Sequence, residues 1–179
     1  MGLHQLAMLA QTQGELEEAR RLYNESLEIK KKLGNQGGIA RGLHQLATLA
    51  QNQGELDEAR RLYHESLEIN KRLGNQGDIA LSLHQLAQLA QDQGELDEAR
   101  RLYHSSLEIA KRLGDQGGIA LTLGQLGNLA QDEGHNAEAA HLFREALAIF
   151  EKLKSPNAQI ARRSLERLQE ESARGDSAT

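Results

Sequence analysis

Apolar residues recur along this chain at three- and four-residue steps, and that pattern itself returns every 40 residues. At its second occurrence Ile39, Leu43, Leu46, Ala47 and Ala50 fall on one helical face. Gly54 interrupts the run. Beginning at Glu55, a second helix carries Leu56, Ala59, Leu62, Tyr63, Ser66, Ile69 and Leu73 at the same spacing. Gly74 is expected to close that helix and Asn75 to cap the next. Asn35, Asp115 and the Ser155-Pro156 pair hold the equivalent posts. Acids lead the second helix and bases end it, as the helix dipole favours, with Asp57–Arg61 and Glu68–Arg72 reading as i,i+4 pairs. Short loops on both sides predict antiparallel neighbours.

The copies span residues 2–41, 42–81 and 82–121, with a looser fourth at 122–154. The first two agree at 32 of 40 positions and the next two at 33, so the chain reads as one helix pair stacked on itself. The drifted fourth copy tests the core assignment. Leu123, Leu126, Leu129, Ala130, Gly134, Ala139 and Leu142 persist in it, and they are positions assigned to the core or the turn. A last helix over 156–171 carries Ile160, Ala161, Leu165 and Leu168 on one side and charges on the other, as a terminal cap requires. Residues 172–179 are small and polar and are expected to be disordered. The first copy lacks the turn that precedes LHQLA in later copies. Either the chain is cut from a longer array, or its first helix is short and leaves an open apolar edge at Leu3, Leu6, Ala7 and Ala10. The fold class expected is all-α, antiparallel helix pairs stacked in a single array.

The alternation of Leu, Ala, Gly, Ala and Tyr resembles the tetratricopeptide repeat. Copy two supplies Leu43, Leu46, Ala47, Gly54, Ala59, Tyr63 and Leu67; copy four supplies Leu126-Gly127, Gly134, Ala139, Phe143 and Ala146-Leu147. The 40-residue period exceeds the family's usual length of about 34, and is similar to the extended repeats of LGN/Pins polarity adaptors and kinesin light chain. The resemblance implies a right-handed superhelix whose first helices line a concave groove that holds a peptide or extended segment of another protein. It implies no catalysis.

A net charge of −5 and a pI near 5.8 argue against a nucleic-acid partner, which demands concentrated Lys and Arg. The chain has no cysteine, hence no disulfide or thiolate metal site. Its apolar runs are far shorter than a membrane span, and no secretion signal is visible, so a soluble, cytoplasmic protein is expected. No phosphate loop or catalytic triad motif occurs, and neither an enzyme nor a cofactor is expected.

The candidate site residues stand on the first helix of each copy. His4, His44 and His84 share one position until Gly124 ends the series. Consecutive helix pairs lie about a helix diameter or more apart, on the order of 10 Å, too far for the imidazoles to share one metal ion. Polar groove lining is the reading adopted, with titration near neutrality as a further property. The next positions read Met8, Thr48, Gln88 and Asn128, then Gln11, Gln51, Gln91 and Gln131. Amides donate and accept at once, so such rows suit a peptide backbone whatever its side chains. They equally suit solvating the helices or bonding their neighbours. The groove candidates are therefore His44, Thr48, Gln51, His84, Gln88, Gln91, Asn128 and Gln131. Asn128 matches the small-Asn pair of the polarity adaptors, and the Lys and Arg of a carboxylate clamp are almost absent, so such a clamp is not expected. His64 and His104 are expected on the outer face, and Tyr23, Tyr63, Tyr103 and Phe143 in the core. A protein or peptide partner is the first reading. Self-association into a homodimer through the open edge, a sensor fragment of a larger signalling protein and an engineered array stand beside it.

Overall fold

The computed structural model describes residues 2–176, and among them it contains nine helices and no strand. They are α1 (Leu3–Thr12), α2 (Leu16–Lys32), α3 (Gln36–Asn52), α4 (Leu56–Leu73), α5 (Gln76–Asp92), α6 (Leu96–Leu113), α7 (Gln116–Asp132), α8 (Asn136–Lys152) and α9 (Asn157–Asp176). The chain divides into two compact units, one ending at Leu89 and the other beginning at Ala90. In the first, α1 packs on α2, α2 on α3 and α3 on α4; in the second, α6 packs on α7, α7 on α8 and α8 on α9.

Local chemistry accounts for the helix ends. The Asn35 side chain accepts a hydrogen bond from the Gly38 amide at 2.9 Å, and Asp115 does the same for Gly118 at 2.9 Å. Each satisfies one of the donors that a helix start leaves unpaired. At the C-termini the chain turns through the left-handed region, at φ 78° for Gly54 and 72° for Gly74. A missing Cβ makes that conformation inexpensive. Lys154 takes the equivalent turn at φ 51° without that advantage.

Small and aromatic residues meet in the core of each copy. Ala7, Ala47, Ala87, Tyr63 and Tyr103 are fully buried, and Tyr23 and Phe143 nearly so. In the second unit Leu165 and Leu168 of α9 join Ala130, Ala139 and Phe143 in one cluster. Arg162, Arg163, Glu166, Arg167 and Glu170 face solvent. That is an apolar face turned to the preceding helices and a charged face turned out.

Several expectations need correction. Leu73 and Ile160 were expected on apolar stripes but are 44% and 63% exposed, since each lies near a helix end where no neighbouring helix covers it. Helix α9 continues to Asp176, into the segment expected to be a disordered tail, and residues 177–179 lie outside the described residues. Arg61 pairs with Glu58 and Glu65 rather than with Asp57, and Glu68 bonds Lys71 at 2.8 Å while Arg72 adds only a longer-range attraction. Ala7 and Ala10 are buried in the monomer, so the exposed edge of α1 is formed instead by Leu6, Met8 and Leu9, with Leu3 half-covered.

Candidate functional site

All eight groove candidates are half-buried, the state of a side chain that lines a concavity. Their surroundings differ by copy. In the first unit the His44 ring meets Tyr63 edge-on at 5.2 Å, and His4 meets Tyr23 at 5.6 Å. Burial depresses the pKa of His44, partly offset by the nearby Asp78 carboxylate. His84 is pushed down to about 4 by burial. The imidazoles are therefore neutral donors and acceptors at physiological pH rather than cations.

Beside His44, between α3, α4 and α5, lies a polar cavity of about 180 Å³ bordered by Arg41, Gln45, Asn70, Asp78 and Ser82. Asn70 and Ser82 are almost fully buried. Asn70 accepts a bond from Asn75 at 3.3 Å, and Ser66 on the same wall donates to the Ala40 carbonyl at 2.8 Å. The Ser82 hydroxyl has no partner at all. An unpaired buried hydroxyl costs on the order of 1–3 kcal/mol.

The glutamine row bonds its neighbours, with the core tyrosines as partners. Tyr63 donates to Gln51 at 3.1 Å, Tyr23 to Gln11 at 2.9 Å and Tyr103 to Gln91 at 3.1 Å. Gln91 also donates to Asp132 at 2.8 Å, so both ends of its amide are engaged. Thr48 and Tyr63 place their hydroxyls 3.1 Å apart. In the fourth copy Phe143 replaces the tyrosine, so the residue twelve positions after Gln131 has no hydroxyl to donate. Asn128 donates to Gln125 at 2.9 Å. Of the row, Gln51 and Gln91 are thus engaged by core tyrosines. The signal was present in the sequence: Tyr and Gln occur together in three copies, twelve residues apart.

A second cavity, of about 140 Å³, lies in the second unit among α7, α8 and α9. Leu121, Gly124, Asn128, Phe143, Phe150 and Ile160 border it. Gly124, on its border, stands at the sequence position that His44 holds in copy two. Arg20 of α2 reaches Gln53 and Glu55 of the next copy, and Arg100 of α6 reaches Glu133 and, at 2.8 Å, Glu138. These bridges brace the turns at the ends of α3 and α7. Among the described residues no three His, Cys, Asp or Glu side chains gather as a metal site, and no helix is long and apolar enough to cross a membrane.

The chain combines helix pairs with a glycine turn, buried alanines and tyrosines and a polar first-helix face, and the family model for the tetratricopeptide repeat matches residues 1–72, 38–90 and 78–152. The chain belongs to the tetratricopeptide repeat family. Its all-α solenoid fold is shared with several solved structures. The crystal structure of BtubC (BKLC) from P. vanneervenii matches at TM-score 0.84 and 23% identity, covering 94% of this chain and 70% of that one. The Podosopora anserina putative kinesin light chain with nearly identical TPR-like repeats matches at TM-score 0.76 and 23% identity, covering 98% and 88%. A Rap protein complexed with competence and sporulation factor matches at TM-score 0.82 and 21% identity. That match covers 98% of this chain and 49% of the Rap protein, so this tetratricopeptide chain spans about half the Rap length. No curated protein matches the chain.

Proposed function

We propose that this tetratricopeptide array is a protein-binding scaffold whose first-helix faces hold an extended segment of a partner. The observation that carries the reading is the polar cavity beside His44, where the buried Ser82 hydroxyl lacks a partner and the Asn70 and Gln45 amides border the same space. Backbone amides of an extended segment supply both donors and acceptors to such a wall. The Rap structure, which holds competence and sporulation factor, is a case of the same fold accommodating a separate molecule. The role is binding rather than catalysis, in a soluble protein of the cytoplasm.

The test is calorimetric titration of the full chain with peptides selected from a random library. Changing His44, Gln88 or Asn128 to Ala is expected to weaken binding while the circular dichroism stays unchanged. Binding unaffected by all three would reject the groove.

A second reading is self-association through α1. Leu9 is 44% exposed, whereas Leu49, Leu89 and Leu129 at the same position are fully buried. Leu6 and Met8 are exposed beside it. An apolar helix face of this kind favours a cover. Light scattering over a concentration series settles it: a dimer that Leu9→Glu dissociates supports the reading, and a monomer throughout rejects it.

A further inference from the structure

We propose that the cavity bordered by Gly124, Phe143 and Phe150 takes an aromatic side chain of the bound segment. The inference rests on the scaffold reading above and names the anchor that the segment would carry.

The repeats themselves supply the template. In copies one and two a histidine stands at this position on the first helix, and its ring lies against the core tyrosine at 5.6 and 5.2 Å. Copy four keeps the core aromatic, as Phe143, but has Gly124 in place of the histidine. A Cβ placed on Gly124 would meet nothing within 4 Å. The vacated ring site is therefore open space, and Phe143 borders it.

The other walls have changed in the same direction. Arg41 and Asn70 border the polar cavity of copy two; their equivalents here are Leu121 and Phe150. Leu121 and Ile160 form an apolar rim, 47% and 63% exposed. Asn128 and Gln125, bonded to each other at 2.9 Å, supply the polar edge. The volume, about 140 Å³, suits a single ring, since an apolar cavity of about 150 Å³ takes up benzene. Two phenylalanines on its walls offer an entering ring the edge-on contact that His44 makes with Tyr63. A charged or aliphatic side chain gains neither.

The probe is p-cresol, the tyrosine side chain without its backbone, titrated into the isotope-labelled full chain and followed by amide chemical shifts. Saturable shifts are expected at Gly124, Asn128 and Ile160. Gly124→His restores the residue that three other copies carry and should weaken p-cresol by more than about tenfold. Should that variant fail to fold, the exposed Ile160→Asp serves in its place. Library peptides that bind should be enriched in one aromatic residue, and p-cresol should compete with them. Absence of saturable shifts, or equal affinity in both the parent and Gly124→His, overturns the inference. Peptides that bind without p-cresol competition also overturn it while leaving the scaffold reading intact. If p-cresol binds but no peptide does, the scaffold reading fails, and with it the assignment of the ring to a partner side chain.

Discussion

The Tyr63 hydroxyl donates to the amide oxygen of Gln51 at 3.1 Å, from a ring that is otherwise completely buried. The same bond joins Tyr23 to Gln11 and Tyr103 to Gln91. Tyr63 keeps a second partner in Thr48 at 3.1 Å, whereas among the described residues the Tyr23 hydroxyl bonds only Gln11. Removing Gln11 therefore strands a buried hydroxyl, and removing the Tyr23 hydroxyl forfeits only the bond. Gln11→Leu should cost about 1–3 kcal/mol and Tyr23→Phe about 1 kcal/mol. Urea denaturation of both variants checks the order. A Tyr23→Phe variant that unfolds more readily than Gln11→Leu would contradict it.

His84 makes stability depend on pH. Its pKa in the folded chain, about 4, lies below the ordinary value of 6.5 because burial disfavours the cation. Between those values the unfolded chain binds a proton that the folded chain refuses, so the contribution is fully present above pH 6.5 and is lost as pH falls toward 4. His44 and His4 are shifted in the same direction, also chiefly by burial. Denaturant midpoints measured across this window should fall less steeply for His84→Gln than for the parent chain.

Three positions test backbone conformation with opposite signs. Gly74 turns at φ 72°, so Gly74→Ala should cost about 1 kcal/mol. Lys154 stands at φ 51° without being glycine. Lys154→Gly should stabilise by roughly 0.5 kcal/mol, because relief of the left-handed strain is partly offset by the freer unfolded chain. Gly124 lies inside α7 with open space at its Cβ, and Gly124→Ala should stabilise by about 0.5–1 kcal/mol. Thermal melts rank all three.

Gly127 and Phe143 changed together. A Cβ on Gly127 would stand 2.7 Å from the Phe143 ring, whereas the other copies set alanine against tyrosine. Gly127→Ala should cost about 1–3 kcal/mol through forced displacement of the ring. The double change Gly127→Ala, Phe143→Tyr rebuilds the Ala–Tyr–Gln trio with Gln131, and should recover part of the loss. Additive costs in a double-mutant cycle would contradict the coupling.

Near-repetition of 40 residues made the helices, the caps at Asn35 and Asp115 and the buried faces legible, because each position could be read several times over. The limits were geometric. A helical period assigns a face but not what covers it, which is why Leu73 and Ile160 read as core and are exposed. It also counted Ala7 and Ala10 as surface when α1 turns them inward. Tyrosine–glutamine bonds join two helices twelve residues apart, a relation that periodicity along one helix cannot express. The ring-sized cavity required three substitutions in copy four to be placed side by side. Of the candidate site, the helix and the row were readable; which amides were already engaged was not.

Binding of an extended segment along the first-helix faces is tested by amide chemical-shift mapping of the full chain with a library-selected peptide. The largest shifts are expected at His44, Thr48, His84, Gln88, Asn128 and Gln131, with the exposed outer residues His64 and His104 unmoved. Shifts confined to His64, His104 or the α1 edge at Leu6, Met8 and Leu9 would contradict it.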